Sequence, residues 1–156
     1  MARVFVTKRT LLHTLGDFPK AWRLLLDHVA KLALSSQQEV NIAALKAFHE
    51  MVVSGGEDDG GEGAEDGGRW VVAWKTWLAI GSQATRGVEG AVVCEEGGPS
   101  QAFLTALAAI FPLLFTHLKN NFSPSDLVCL GTVITSCLSL PVTADSELGY
   151  LLTAQD

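Results

Sequence analysis

The chain has 156 residues, room for one domain of ordinary size, and 48% of them are apolar, which excludes a disordered chain. Eleven Lys and Arg stand against 17 Asp and Glu, a formal charge of −6, so no basic excess is on hand to neutralise phosphates and the balance argues against a nucleic-acid partner. Three cysteines, Cys94, Cys129 and Cys137, are too few and too odd in number for the disulfide framework of a small secreted domain, and point to a reducing, intracellular compartment.

The N-terminal stretch carries Arg3, Lys8 and Arg9, but its apolar run, residues 4–6, is far shorter than a signal-peptide core. Residues 3–7 are the only short candidate for a strand. Asp17-Phe18-Pro19 reads as a cap with proline in the first turn, opening a helix over about 19–34 whose face is Trp22, Leu25, Leu26, Val29 and Leu32 or Ala33. Ser36-Gln37-Gln38-Glu39 has the form of a capping box, and the second helix that it starts buries Val40, Ala43, Ala44, Ala47, Phe48 and Met51. The connection between them is so short that the two must form an antiparallel hairpin.

Residues 54–68 hold seven glycines, six acids and a single apolar residue, Ala64, the composition of a solvated linker. A third helix over about 70–83 carries the stripe Trp70, Trp74, Trp77 and Leu78 or Gly81, and the spacing predicts that this stripe is core. A second glycine-rich linker covers residues 86–98. Pro99-Ser100 opens a fourth helix with Phe103, Leu104, Leu107, Ile110, Phe111, Leu114, Phe115 and Leu118, kinked at Pro112. Ser123-Pro124-Ser125-Asp126 is a further start signal, with serine as cap and an acid on the positive helix end, and the face that follows is Leu127, Leu130, Val133, Ile134, Cys137 and Leu138. Pro141 ends this helix, and the tail shows no clear pattern of its own.

The resulting fold class is all-α: HEAT- or armadillo-like helical hairpins forming a partial α-solenoid. Its divisions are an N-terminal segment and hairpin (1–53), the acidic linker (54–68), a Trp-rich helix (69–85), a linker (86–98), a helical hairpin (99–140) and a tail (141–156). The fourth and fifth helices hold more apolar residues than one narrow stripe takes, which predicts that they bury second faces against further helices. The near absence of charge over residues 97–118 leaves one alternative, a small helical protein anchored by a membrane span there, although a span needs about 20 apolar residues and Pro112 interrupts this run.

No chemistry-bearing constellation emerges, and no catalytic, cofactor-binding or metal-ligating residue is assigned. In the acidic run, a calcium-loop register with Gly60 as the required glycine puts Gly55 at the first ligand position and Asp66 where a bidentate glutamate belongs. His13, His28, His49 and His117 fall on separate segments without metal-ligand spacing. Cys129 and Cys137, about 80° apart round one helix, both fit a core face as packing thiols. Nucleophile elbow, phosphate loop and dinucleotide fingerprint are all missing from the sequence. No cofactor and no small-molecule substrate are expected.

Several segments in order carry a family resemblance: Ala2-Arg3-Val4-Phe5, residues 15–22 (LGDFPKAW), Leu25-Leu26-Asp27-His28, residues 39–48 (EVNIAALKAF), residues 73–81 (AWKTWLAIG) and residues 99–119 (PSQAFLTALAAIFPLLFTHLK). Together they resemble the monensin-sensitivity family called "Mon two", failing mainly across the two linkers. The resemblance implies a short piece of a large HEAT-like scaffold of the Golgi and endosomes, related to the large Arf guanine-nucleotide exchange factors without their catalytic exchange domain. It implies protein partners of the Dopey type, peripheral membrane association through the full-length protein, a cytoplasmic location on Golgi and endosome membranes, and a role in protein transport without catalysis.

Overall fold

A computed structural model describes residues 16–56, 66–85, 99–118 and 122–139. The strand candidate at 3–7, His13, the centre of the acidic run, the second linker with Cys94, and the tail lie outside the described residues. Five helices account for nearly all that is described: α1 (Phe18–Ala33), α2 (Gln38–Gly56), α3 (Asp66–Thr85), α4 (Gln101–Leu118) and α5 (Pro124–Ser139). The all-α helical-hairpin class is as the periodicity indicates.

Local signals start several of the helices. Asp17 holds the N-cap position of α1 and its carbonyl accepts from the Lys20 and Ala21 N–H groups, with Pro19 in the first turn where no donor is needed. Its carboxylate pairs with the Lys20 ammonium at 3.2 Å instead of capping. The expected capping box at Ser36 is replaced by a start one residue later. The Gln37 carbonyl accepts from Val40 and Asn41, and Ser35 Oγ accepts from the Gln37 N–H at 3.2 Å, because the tight turn after α1 spends its serine on the turn itself. Ser100 Oγ accepts from the Phe103 N–H at 3.2 Å and caps α4.

Contacts that join the helices also fix their directions. The Trp22 indole N–H donates to the Arg69 carbonyl, bringing the N-terminal ends of α1 and α3 together. Trp70 stacks on His117 and Trp77 donates to the Leu107 carbonyl, so α3 and α4 are antiparallel. Trp74 meets Asp126 and Gly81 meets Val133, both partners advancing by seven residues, so α3 and α5 are parallel. With the short turn making α1 and α2 antiparallel, two hairpins, α1/α2 and α3/α4, stand side by side. Helix α1 packs on α3, α2 packs on α4, and α5 extends the first row by packing on α3. First helices stacking on first helices, and second on second, is the layering of an α-solenoid.

This layering moves one boundary. The sequence placed a hairpin at 99–140, whereas α4 packs on α2 and, less extensively, on α3, and α5 packs on α3 rather than on α4, so α4 closes the second hairpin and α5 opens a third layer. Helices α2 and α3 also reach into the acidic run, to Gly56 and from Asp66, which narrows the linker expected at 54–68. Helix α4 runs through Pro112 as one element.

Candidate interaction surface

The four tryptophans are the largest side chains in the chain, and all of them are buried. Three indole N–H groups find acceptors on other helices: Trp22 the Arg69 carbonyl at 3.2 Å, Trp77 the Leu107 carbonyl at 2.8 Å, and Trp74 the Asp126 carboxylate at 3.1 Å. Trp74 also stacks on Trp77 with ring centroids 5.3 Å apart and leans on Phe111 and Phe122. Trp70 lies parallel to the His117 ring at 3.9 Å, with the Arg69 guanidinium 4.7 Å from its centroid. The stripe is therefore interior, as its spacing predicts, and offers no exposed anchor.

Asp126 is the residue that sequence reasoning undervalued. Ser123 and Asp126 cap each other reciprocally: Ser123 Oγ accepts from the Asp126 N–H at 3.2 Å, and Asp126 Oδ2 accepts from the Ser123 N–H at 3.0 Å and from its hydroxyl at 2.6 Å. The other carboxylate oxygen takes the Trp74 indole N–H. Hydrogen bonds from the Ser123 hydroxyl and backbone, then from Trp74, hold the Asp126 carboxyl below its ordinary value of 3.8. One aspartate thus caps α5 and ties it to α3.

The remaining residues singled out in the sequence do not converge. His28 is exposed on α1, His49 is half-buried on α2, and His117 belongs to the Trp70 stack. Cys129 is exposed rather than packed, although it stands one turn from the buried Val133. Cys137 borders the core, and burial pushes its thiol up from the ordinary value.

The exposed apolar residues concentrate on α5. On α5 only Val133 is buried, while Leu127, Val128, Ile134 and Leu138 are exposed, Leu138 at 83%. Phe115 on α4 is 43% exposed, its ring 5.9 Å from Phe111 and 5.5 Å from Phe122 at the threshold of α5. The second faces predicted for these two helices are thus present and uncovered by the other described helices. Helix α4 is long and apolar enough to cross a membrane, the one such helix among the described residues, yet its Phe103, Leu107, Ile110, Leu114 and Leu118 stripe lies in the common core.

Stacked hairpins with a tryptophan-filled interior and an apolar outer helix define a helical-repeat protein whose exposed assets are surfaces. The chain belongs to the Mon2 family: the family model described as the C-terminal region of Mon2 protein matches residues 1–67 and 61–156. It is 33% identical to the Protein MON2 homolog of Xenopus laevis and 34% identical to that of Homo sapiens, each over 94% of this chain and 11% of the relative. To the Protein MON2 homolog of Drosophila melanogaster it is 36% identical over the whole chain and 10% of the relative. The chain therefore spans about a tenth of the length of the curated relatives that it matches. No solved structure matches it.

Proposed function

We propose that this chain serves as part of a non-catalytic scaffold in membrane traffic between endosomes and the Golgi, peripheral on those membranes from the cytoplasmic side. Membership of the Mon2 family through its C-terminal region is the observation that carries the reading. The layered helices support it physically, since a solenoid stacks repeats into extended surfaces suited to binding proteins. On this reading the protein accelerates no nucleotide exchange on Arf GTPases despite kinship with the large exchange factors, and its partners are proteins, Dopey-type trafficking proteins among them.

A second reading, anchoring by a span near 97–118, draws on the length and apolarity of α4. The placement of its buried stripe in a core shared with the other helices favours the peripheral reading. Carbonate extraction of membranes from cells making the tagged protein distinguishes them: the scaffold reading expects release into the supernatant and co-localisation with Golgi and endosome markers. Retention in the carbonate-washed pellet would overturn it. In an exchange assay, purified protein should leave the rate of nucleotide release from Arf unchanged.

A further inference from the structure

Five large apolar side chains stand exposed at the α5 end of the stack: Phe115 on α4, and Leu127, Val128, Ile134 and Leu138 on α5. Leu127, Gly131, Ile134 and Leu138 follow one another at steps of 4, 3 and 4 residues, the spacing of a row along which two helices lie side by side. They fall within about 60° of each other round the helix axis and at least about 100° from Val133, the residue that meets α3. Gly131 is a notch in this row, since a Cβ built there would touch nothing within 4 Å. Asp126 is the one charged residue of α5, and Ser123 and Trp74 already hold its carboxylate, so covering the row desolvates no unpaired ion. The other end of the stack differs. On α1 the exposed Leu24 has the exposed Lys20, Asp27 and Lys31 around it, the polar surface of a terminal cap.

We infer that this row is a self-complementary interface, in which α5 of one chain lies antiparallel along α5 of a second copy. A helix that covers the row must bring an uncharged apolar row of its own. Among the described helices only α5 has one, because Leu24 and Leu32 of α1 sit among charges and Val53 is the single large apolar residue exposed on α2. The contact is therefore like on like, which closes at two copies, rather than α1 on α5, which would run on into an open array. Antiparallel order suits the notch. About a two-fold axis between Gly131 and Ile134, Leu127 meets the partner's Leu138 and Gly131 receives the partner's Ile134, small against large. A parallel pair would set glycine against glycine and leave a void. The five exposed side chains offer roughly 500 Å² on each chain, so two copies would bury about 1,000 Å², the size at which specific interfaces begin and that of a weak, reversible dimer.

The test is the mass of the full chain by light scattering across a dilution series. The native chain should pass from the mass of one copy to that of two between about 1 and 100 μM. Gly131→Gln fills the notch from open space and raises helix propensity, so at low micromolar concentration it should melt no lower than the native chain while moving the association midpoint at least roughly tenfold upward. Thr132→Gln, off the row, should leave the midpoint where it is. With Cys94, Cys129 and Cys137 replaced by serine, a mixture of Leu127→Cys and Leu138→Cys chains should form its mixed disulfide severalfold faster than either chain forms one with itself. A faster disulfide between like chains would overturn the antiparallel pairing, and an unmoved midpoint in Gly131→Gln would overturn the interface. A one-copy mass throughout would overturn the inference as a whole. It would do so in favour of cover from within the chain if no apolar dye binds, and in favour of a lipid surface if the chain floats with neutral phosphatidylcholine vesicles.

Discussion

At the scale of single residues, Trp74 and Asp126, 52 residues apart in sequence, couple two helices. Trp74 is buried against Trp77, Phe111 and Phe122, so Trp74→Ala should cost about 3–5 kcal/mol, enough to unfold or badly weaken the chain by urea titration. Ser123→Ala removes the cap of α5 and should cost about 1 kcal/mol. The depressed Asp126 carboxyl gives a pH effect of defined sign. A group whose pKa is lowered by folding adds stability above its unfolded value, and that increment is lost as pH falls through the lower folded value. Between pH 5 and pH 2 the melting temperature of the native chain should therefore fall more steeply than that of Asp126→Asn, while above pH 5 the two curves run parallel. Equal slopes throughout would remove Asp126 from its clamping role. The tryptophan spacing and the Ser-Pro-Ser-Asp start were legible in the sequence because they are local patterns. The Trp74–Asp126 hydrogen bond was not, since nothing local pairs an indole with a carboxylate on another helix.

At the scale of elements, local periodicity located every described helix but did not always orient it. The α1 face came out as read, with Ala33 rather than Leu32 inward. In α2 Ala44, Phe48 and Met51 are buried as read, but Asn41, Leu45 and Val52 are buried beside them and Ala43 is exposed, so spacing decides the face and a polar residue in register is carried inside with it. Contact with both α1 and α4 selects this row, a choice that lies beyond the helix itself. On α5 the apolar face was legible, but its division into one buried valine and an exposed strip follows from the stacking of layers. The crossing of α3, α4 and α5 depends on Gly81, where an added Cβ would lie 2.8 Å from Val133 Cγ1 and 3.6 Å from Leu107 Cδ2. Valine is stiff at χ1 and cannot swing away cheaply, so overpacking outweighs the helix-propensity gain of roughly 1 kcal/mol. Gly81→Ala should be destabilising by about 1–2 kcal/mol, and in a double-mutant cycle Val133→Ala should recover part of the loss. Additive losses would show that the two residues do not meet.

At the scale of the whole molecule, solenoid layers cooperate with their neighbours and pass little to distant layers, while the run between α2 and α3 has the composition of a segment without core-forming residues. Replacing Glu57, Asp58, Asp59, Glu62 and Glu65 by serine should change stability by less than about 1 kcal/mol, and calcium should leave the melting temperature of the native chain where it is. A calcium-dependent rise would identify the run as a site. The layering itself is the central claim, and native-state amide exchange of Val133→Asp tests it most directly, because the charge enters at the one buried position of α5. Protection should collapse in α5 and persist in α1 and α2, with α3 and α4 between. Uniform loss across all five helices would show one indivisible bundle and contradict the layered account.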